Sequence, residues 1–223
     1  MKKRSIRTAC IIASTAVCAL LTVLAIAFLI LGIRTAAIRD GHRAIYENER
    51  YQTPVSVEGI EVITQDVSCG YAVIEMFSAW SGHDVTEESL YAEYGKVTTS
   101  TGRAFCAEMN RQFPEYTTRM HRYLTDTELL ETAYENLENG IPVPFEWAAP
   151  YDGEWTLHYS LITGMDIPGD RITVANPYGF REELTVDEFL SRTRFDAFKN
   201  MPLFLKLGFA FGVFGKNTVF TVR

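Results

Sequence analysis

A cysteine and a glutamine near the start of one helical segment could together support acyl transfer. Cys69 opens a stretch whose apolar residues, at 69, 72, 73, 76, 77 and 80, have helical spacing, and Gly70 follows it. A thiol in the first turn of a helix lies at the positive end of the macrodipole, which predicts a lowered pKa. Gln65 could donate its amide N–H to a developing oxyanion. Alone, this pattern also fits a half-cystine or a buried thiol.

A histidine and an asparagine supply the partners that such a thiol needs. His158 lies at the start of a predicted strand, 156–163, and Asn176 follows the next one, 171–175. A turn near 167–169 would fold the two strands antiparallel and place both residues within cross-strand reach. An amide oxygen beside an imidazole can hold one tautomer and direct the ring toward a thiol. Taken singly, His158 also fits a surface histidine and Asn176 an Asn-Pro turn.

The elements that position these residues change in type along the chain. Four helical segments are predicted first, followed by extended segments, one further helix and a final strand. A short strand is also expected at 60–64, before Gln65. The helices are predicted at 69–80, 84–94, 103–112, 126–138 and 185–193, and the extended segments at 141–148, 156–163, 171–175 and 217–222. Helices followed by antiparallel strands predict an α+β fold.

The N-terminus has the pattern of a membrane signal anchor. Residues 8–33 form an uncharged run of 26 residues after the basic cluster Lys2, Lys3, Arg4 and Arg7. About 20 apolar residues cross a bilayer, whereas a cleaved signal has an apolar core of about 7–15. The positive-inside rule then places residues 1–7 in the cytoplasm and the domain outside the cell. The chain would cross the cell membrane once, through residues 8–33. The apolar tract 201–215 is short for a second crossing and favours core or a membrane-facing surface.

The net negative charge of the domain argues against a nucleic-acid partner. After the four N-terminal cations, 17 Lys and Arg remain against 28 Asp and Glu, a net charge of −11 compared with −7 for the whole chain. Such a domain would be repelled by nucleic-acid phosphates, so we expect no nucleic-acid partner. The sequence has no zinc-binding spacing and no phosphate-binding Gly-rich loop with Lys, and no cofactor is implied.

The remaining cysteines leave one structural alternative open. Cys10 and Cys18 lie in the apolar run, where a thiol acts as a small hydrophobe. Cys106 lies mid-helix beside Phe105 and Met109 and is expected in the core. A Cys69–Cys106 disulfide would block the nucleophile and is the chief rival interpretation. The aromatic residues Trp147, Tyr151 and Trp155 could line a cleft or belong to the core.

Together these motifs resemble those of the papain-like peptidases that process bacteriocin leaders, and of their peptidase-like relatives. The resemblance is carried by Cys-Gly-x-Ala from Cys69, His-Tyr-Ser-Leu-Ile-Thr-Gly-Met-Asp from His158, and Val-Ala-Asn-Pro-Tyr-Gly through Asn176, and it covers about 60–189. It implies Cys69 as nucleophile, His158 as general base and acid, Asn176 as the orienting group and Gln65 as the oxyanion donor. In that family the glutamine usually stands about six positions before the cysteine, where this chain has Ile63, and Asp is commoner than Asn as the orienting residue.

These observations predict an extracytoplasmic cysteine peptidase held by one transmembrane helix, working through an acyl-enzyme on a peptide or protein substrate. The expected organisation is a tail (1–7), a membrane anchor (8–33), a linker (34–59) and a papain-like α+β domain (60–223). Acyl or peptidyl transfer uses the same thioester. The alternatives are a catalytically silent papain-like domain that binds peptides or a partner, with Cys69 in a disulfide, and a disulfide-stapled adhesion or sensor domain.

Overall fold

A computed structural model describes the backbone of residues 2–223 and the side chains of residues 12–223. The basic cluster and Cys10 lie outside the described side chains. Two short 3₁₀ helices cover Glu49–Tyr51 and Asp196–Asn200. The α-helices are α1 (Lys2–Ala37), α2 (Ala44–Glu47), α3 (Cys69–Ser81), α4 (Glu87–Tyr94), α5 (Gly102–Gln112), α6 (Asp126–Glu138), α7 (Val186–Thr193) and α8 (Leu203–Ala210). The strands are β1 (Val55–Ser56), β2 (Thr118–His121), β3 (Val143–Tyr151), β4 (Glu154–Asp166), β5 (Arg171–Asn176), β6 (Phe180–Leu184) and β7 (Thr218–Val222).

The strands form one antiparallel sheet in the order β2-β7-β3-β4-β5-β6, and β1 pairs with β4. Two hairpins make its centre: β3 pairs with β4 from Val143↔Ile162 to Tyr151↔Glu154, and β4 pairs with β5 through Leu161↔Ala175. The helices α3, α5, α6 and α7 contact this sheet and share one hydrophobic core with it. The predicted α+β fold class is confirmed, and the central strands β4 and β5 carry His158 and Asn176.

Helix boundaries follow the capping residues in the sequence. Side chains of Ser68, Thr101, Thr125 and Thr185 accept backbone N–H groups at the starts of α3, α5, α6 and α7. Gly82 ends α3 in the left-handed region, with φ of +81°, where a side chain would be strained. The predicted helix 126–138 has the observed bounds of α6.

The predicted strand at 60–64 is wrong. Residues 57–68 contain no regular element, although Ile60 is buried. Single hydrogen bonds tie this segment to the edge beyond β5: Arg181 donates to the Ile60 carbonyl, and the Gln65 N–H donates to the Pro177 carbonyl at 2.8 Å. Because these bonds do not form a ladder, alternating side chains here mark a packed loop. Strands β2 and β6 have weak alternation and were not predicted.

The segment expected as a linker packs against the domain. Ile45, Tyr51 and Val57 belong to the main hydrophobic core, and β1 lies within this segment. The Tyr134 hydroxyl donates to the Thr53 carbonyl at 2.7 Å. The chain between α1 and α3 is therefore packed against the domain.

Helix α1 continues past the apolar run to Ala37. Its portion Ile12–Ala37 is long and apolar enough to cross a membrane, and little of it is buried by the rest of the chain. Its C-terminal part touches α8. Leu31 packs there in a second, small core with Phe195, Leu205 and Phe209.

Candidate active site

Cys69 is the first residue of α3, and the loop before it is held by a buried carboxylate. Glu87, at the start of α4, accepts the backbone N–H of Asp66 at 2.7 Å, of Ser68 at 2.9 Å and of Val67 at 3.4 Å. These bonds satisfy loop amides that would otherwise lack partners. Glu87 therefore fixes the approach of the chain to Cys69. Sequence reasoning missed this residue, which looks like an ordinary acidic residue in a helix first turn.

Gly70 allows α3 to approach the loop after α4. A Cβ at this position would lie 2.3 Å from the Thr99 hydroxyl oxygen. The missing side chain at Gly70 therefore lets α3 pack closely against Thr99.

The Cys69 thiol lies against the backbone of β4 and is neutral at physiological pH. Burial raises its pKa to about 11, and N–H groups of Tyr159, Gly70 and Cys69 itself oppose only part of that rise. The expectation of a lowered pKa from the helix terminus is wrong for this resting arrangement, because loss of hydration outweighs the N–H dipoles. The effect of burial was not visible in the local sequence.

His158 and Asn176 lie together as the hairpin register predicts. The His158 Nε2 atom is 2.9 Å from Asn176 Oδ1, and both side chains are buried. The ring stacks on Tyr178 with centroids 4.1 Å apart. Burial lowers the pKa of His158 to about 4, although the Asn176 bond partly opposes this shift. The imidazole is therefore uncharged at neutral pH.

The surrounding bonds determine which imidazole nitrogen carries the proton. Asn176 Nδ2 donates to the Glu182 carboxylate at 3.0 Å, and Asn176 Oδ1 accepts the Tyr178 backbone N–H at 3.0 Å. A carboxylate can only accept and a backbone N–H can only donate, so the amide orientation is fixed. Oδ1 must then accept from His158, which places the proton on Nε2. In the neutral ring, Nδ1 keeps its lone pair and can take a proton.

Glu182 is itself held in place. Its other oxygen accepts from Arg192 at 2.5 Å, and the Arg192 guanidinium lies 4.4 Å above the centre of the Trp147 ring. The polar chain thus runs from His158 through Asn176 and Glu182 to Arg192. Glu182 could not be identified from the sequence, because β6 was not predicted.

The two halves of the site are adjacent but not joined by a bond. The Tyr159 N–H that faces the Cys69 sulfur follows His158 directly in β4. Among the described residues, the His158 ring bonds Asn176 and makes no hydrogen bond to the sulfur. Active-site hydrogen bonds are often loose before substrate binds.

Gln65 has a polar atom without a partner. Its side-chain Oε1 is buried and makes no hydrogen bond in the described part of the chain. A 180° rotation of the amide exchanges this oxygen with the NH₂ group, so the same position can present a donor.

A groove of about 310 Å³ opens beside the thiol. Its walls come from four parts of the chain: the start of α3, the loop after α4, β4 and the α8 region. The residues that line it are Ser68, Cys69, Gly70, Val97, Thr99, Ser100, Thr156, Leu157, Tyr159, Phe204, Leu205 and Phe214. The three aromatic candidates do not form a common wall: Trp147 is buried core, Tyr151 is exposed, and Trp155 packs partly against the small core near α1.

Cys69 and Cys106 are both free thiols. Cys106 packs against the main core and its Sγ donates to the Thr118 carbonyl at 3.4 Å. The disulfide interpretation has no support in this arrangement.

The sequence comparison now identifies the family. The model of the Peptidase_C39 like family matches residues 56–201. The chain belongs to this family. The matched region contains Cys69, His158 and Asn176.

The search of curated proteins found no match. Among solved structures, the chain is similar to a double glycine motif protease from an AMS/PCAT transporter in complex with the leader peptide, with 15% identity, a TM-score of 0.48, and coverage of 76% of this chain and 96% of that one.

Proposed function

We propose that this Peptidase_C39-like protein is a membrane-anchored, extracytoplasmic thiol hydrolase that cleaves peptides through an acyl-enzyme. Cys69 is the nucleophile, His158 the base and acid, Asn176 the orienting group and Gln65 the oxyanion donor. The observation that carries the proposal is the fixed Asn176 amide, because it holds the proton of the neutral His158 ring on Nε2 and leaves the lone pair on Nδ1.

The reaction follows from these protonation states. As Sγ attacks the carbonyl carbon of the peptide bond, His158 Nδ1 takes the thiol proton, and the carbonyl oxygen becomes an oxyanion beside Gln65. The imidazolium then gives the proton to the leaving amine, which breaks the C–N bond and leaves a thioester. Water, deprotonated by His158, hydrolyses that thioester and restores the thiol. An amine in place of water would give acyl transfer.

Membrane anchoring is supported by α1. Ile12, Leu20 and Leu29 are each at least 60% exposed on this helix. Such a surface is unfavourable in water and suits a bilayer core. Residues 8–33 would cross the cell membrane once, with the basic tail in the cytoplasm and the domain outside.

A second candidate, a catalytically silent peptide-binding domain, is favoured by one observation. The thiol has a raised pKa and no hydrogen bond to His158. If that arrangement persists with substrate bound, the domain would hold a peptide without cleaving it.

Acylation by a small activated ester separates the two. The full-length protein in nanodiscs is mixed with p-nitrophenyl acetate, nitrophenol release is followed, and the acetylated residue is found by mass spectrometry. We expect an initial burst and an acetyl group on Cys69 that is lost with time, with no burst in Cys69→Ala and an unchanged burst in Cys106→Ala. No acetylation of folded wild-type protein at Cys69 would leave the binding domain as the better account.

A further inference from the structure

The α8 region carries exposed apolar side chains next to the outer end of α1. This α8 apolar surface consists of Leu203, Phe204, Phe211 and Val213, which are 68%, 67%, 54% and 49% exposed. Apolar side chains concentrated in one short segment mark a surface that is covered in the working protein.

The position of α8 along α1 indicates what covers it. Leu31 of α1 packs with Leu205 and Phe209 of α8. Leu31 is six residues before the end of α1, which is roughly 9 Å along the axis. On the same turns, Leu29 and Ile33 are 64% and 61% exposed. The α8 apolar surface is therefore continuous with the apolar surface of the proposed membrane span, near its outer end.

The local charge fits the same surroundings. Residues 199–215, which include α8, contain Lys199 and Lys206 and no Asp or Glu, although the chain after residue 7 carries −11. The Lys206 ammonium reaches back to the Lys199 carbonyl at 2.8 Å. Cations flanking an apolar face suit the phosphate level of a bilayer, where long side chains keep their charge in water.

We infer that the α8 apolar surface lies in the outer-leaflet interface of the bilayer that α1 crosses, and that the Cys69 groove opens at that interface. Phe204 belongs both to this surface and to the wall of the groove. The inferred substrate class, which rests on the proposed function, is a peptide that lies on the membrane or emerges from it. A second copy of the chain or a soluble partner on this surface is the competing outcome.

Lipid photocrosslinking tests the surface without any assumption about catalysis. The full-length protein is placed in nanodiscs whose phospholipids carry a diazirine in the acyl chain, irradiated, digested and mapped by mass spectrometry. We expect adducts on residues 203–213 as well as on α1. The Leu203→Glu/Phe204→Glu variant should lose the former and keep the latter.

A matched control comes from an exposed aromatic residue elsewhere. Tyr91 on α4 is 46% exposed, and Tyr91→Glu should leave the adduct pattern unchanged. If the double variant does not fold, the wild-type adduct map and the Phe211→Glu variant, which should lose adducts near residue 211, still test whether residues 203–213 contact lipid. Adducts confined to α1 would overturn the inference, whether or not protein–protein crosslinks appear on 203–213.

The opening of the groove is tested by comparing two maleimides in the same nanodiscs. Cys69 should react faster with N-dodecylmaleimide than with N-ethylmaleimide, by a larger ratio than the half-buried Cys106. Equal ratios at the two thiols would show that the groove does not open at the bilayer. Acetylation of Cys69 by p-nitrophenyl acetate is a separate readout, so failure of the surface and failure of the proposed chemistry are distinguishable.

Discussion

The strand half and the helix half of the site are prepared to different degrees. On the strands, His158, Asn176 and Glu182 each have a defined hydrogen-bond partner, and the tautomer follows from the bonds. On the helix side, the half-buried Cys69 lies beside an apolar groove, and its thiol has a raised pKa and no bond to the imidazole. In the proposed mechanism the base is therefore in position before substrate arrives, whereas the nucleophile has to be activated within the occupied groove.

The largest expected effect comes from removing the base. Because the proposed mechanism uses His158 as the proton acceptor, His158→Ala should lower the rate of Cys69 acetylation by p-nitrophenyl acetate by about 10²–10⁴-fold, the usual contribution of general base catalysis. Stopped-flow measurement of the burst gives the rate. His83→Ala is the control, since His83 pairs with Glu115 at 2.7 Å away from the strand network. Equal bursts in wild type and His158→Ala would remove the strand half from the chemistry.

The next effect concerns the helix half alone. With a pKa of about 11, Cys69 is almost wholly protonated at pH 8, so its alkylation by iodoacetamide should be roughly a hundredfold slower than that of an ordinary thiol with pKa near 8.5. The rate should still rise about tenfold per pH unit between pH 7 and 10, because a raised pKa moves thiolate formation to higher pH. A plateau below pH 8 would mean that the thiol is already activated in the free protein.

A smaller effect is expected from loosening the strand network. Glu182→Gln replaces a group that only accepts with one that also donates, so Asn176 can turn its amide and lose the His158 bond. We expect about a tenfold lower acetylation rate, equal to about 1.4 kcal/mol, and an altered pH profile. Glu183→Gln, at the exposed neighbouring position in β6, is the matched control. Identical profiles for the two variants would show that Asn176 does not need Glu182.

The smallest effect concerns the other thiol. Since Cys106 is free and bonds only locally, Cys106→Ala should leave Cys69 labelling unchanged with and without reductant, and should cost about 1 kcal/mol or less in unfolding free energy. Intact mass and urea unfolding measure both quantities. Cys69 labelling that requires reductant in wild type but not in Cys106→Ala would restore the disulfide interpretation.

The sequence predicted those parts of the molecule that depend on local pattern. The start of α3 at Cys69, the bounds of α6 and the meeting of His158 with Asn176 follow from capping residues, apolar spacing and one hairpin turn. The raised pKa of Cys69 and the hydrogen bonds from the backbone of residues 66–68 to Glu87 depend on burial and on contacts between distant segments. These features are set by tertiary packing, so no local pattern signals them.

In the loop 57–68 a local pattern gave a wrong prediction, because tertiary packing decides its conformation. Ile60, Val62 and Thr64 alternate as strand residues do, but residues 57–68 make only single hydrogen bonds to their neighbours and form no ladder with a strand. Tertiary packing therefore overrides the local preference. Gln65 lies in this loop, so its position relative to Cys69 could not be predicted from the strand pattern.

Peptide cleavage tests the central claim most directly. The full-length protein and its Cys69→Ala variant, both in nanodiscs, are incubated with a proteome-derived peptide library, and new peptide N-termini are identified by mass spectrometry. The account predicts new N-termini in the wild-type sample that are absent from the Cys69→Ala sample. The same N-termini in both samples, or none in either while the wild-type protein is folded, would contradict a Cys69 peptidase.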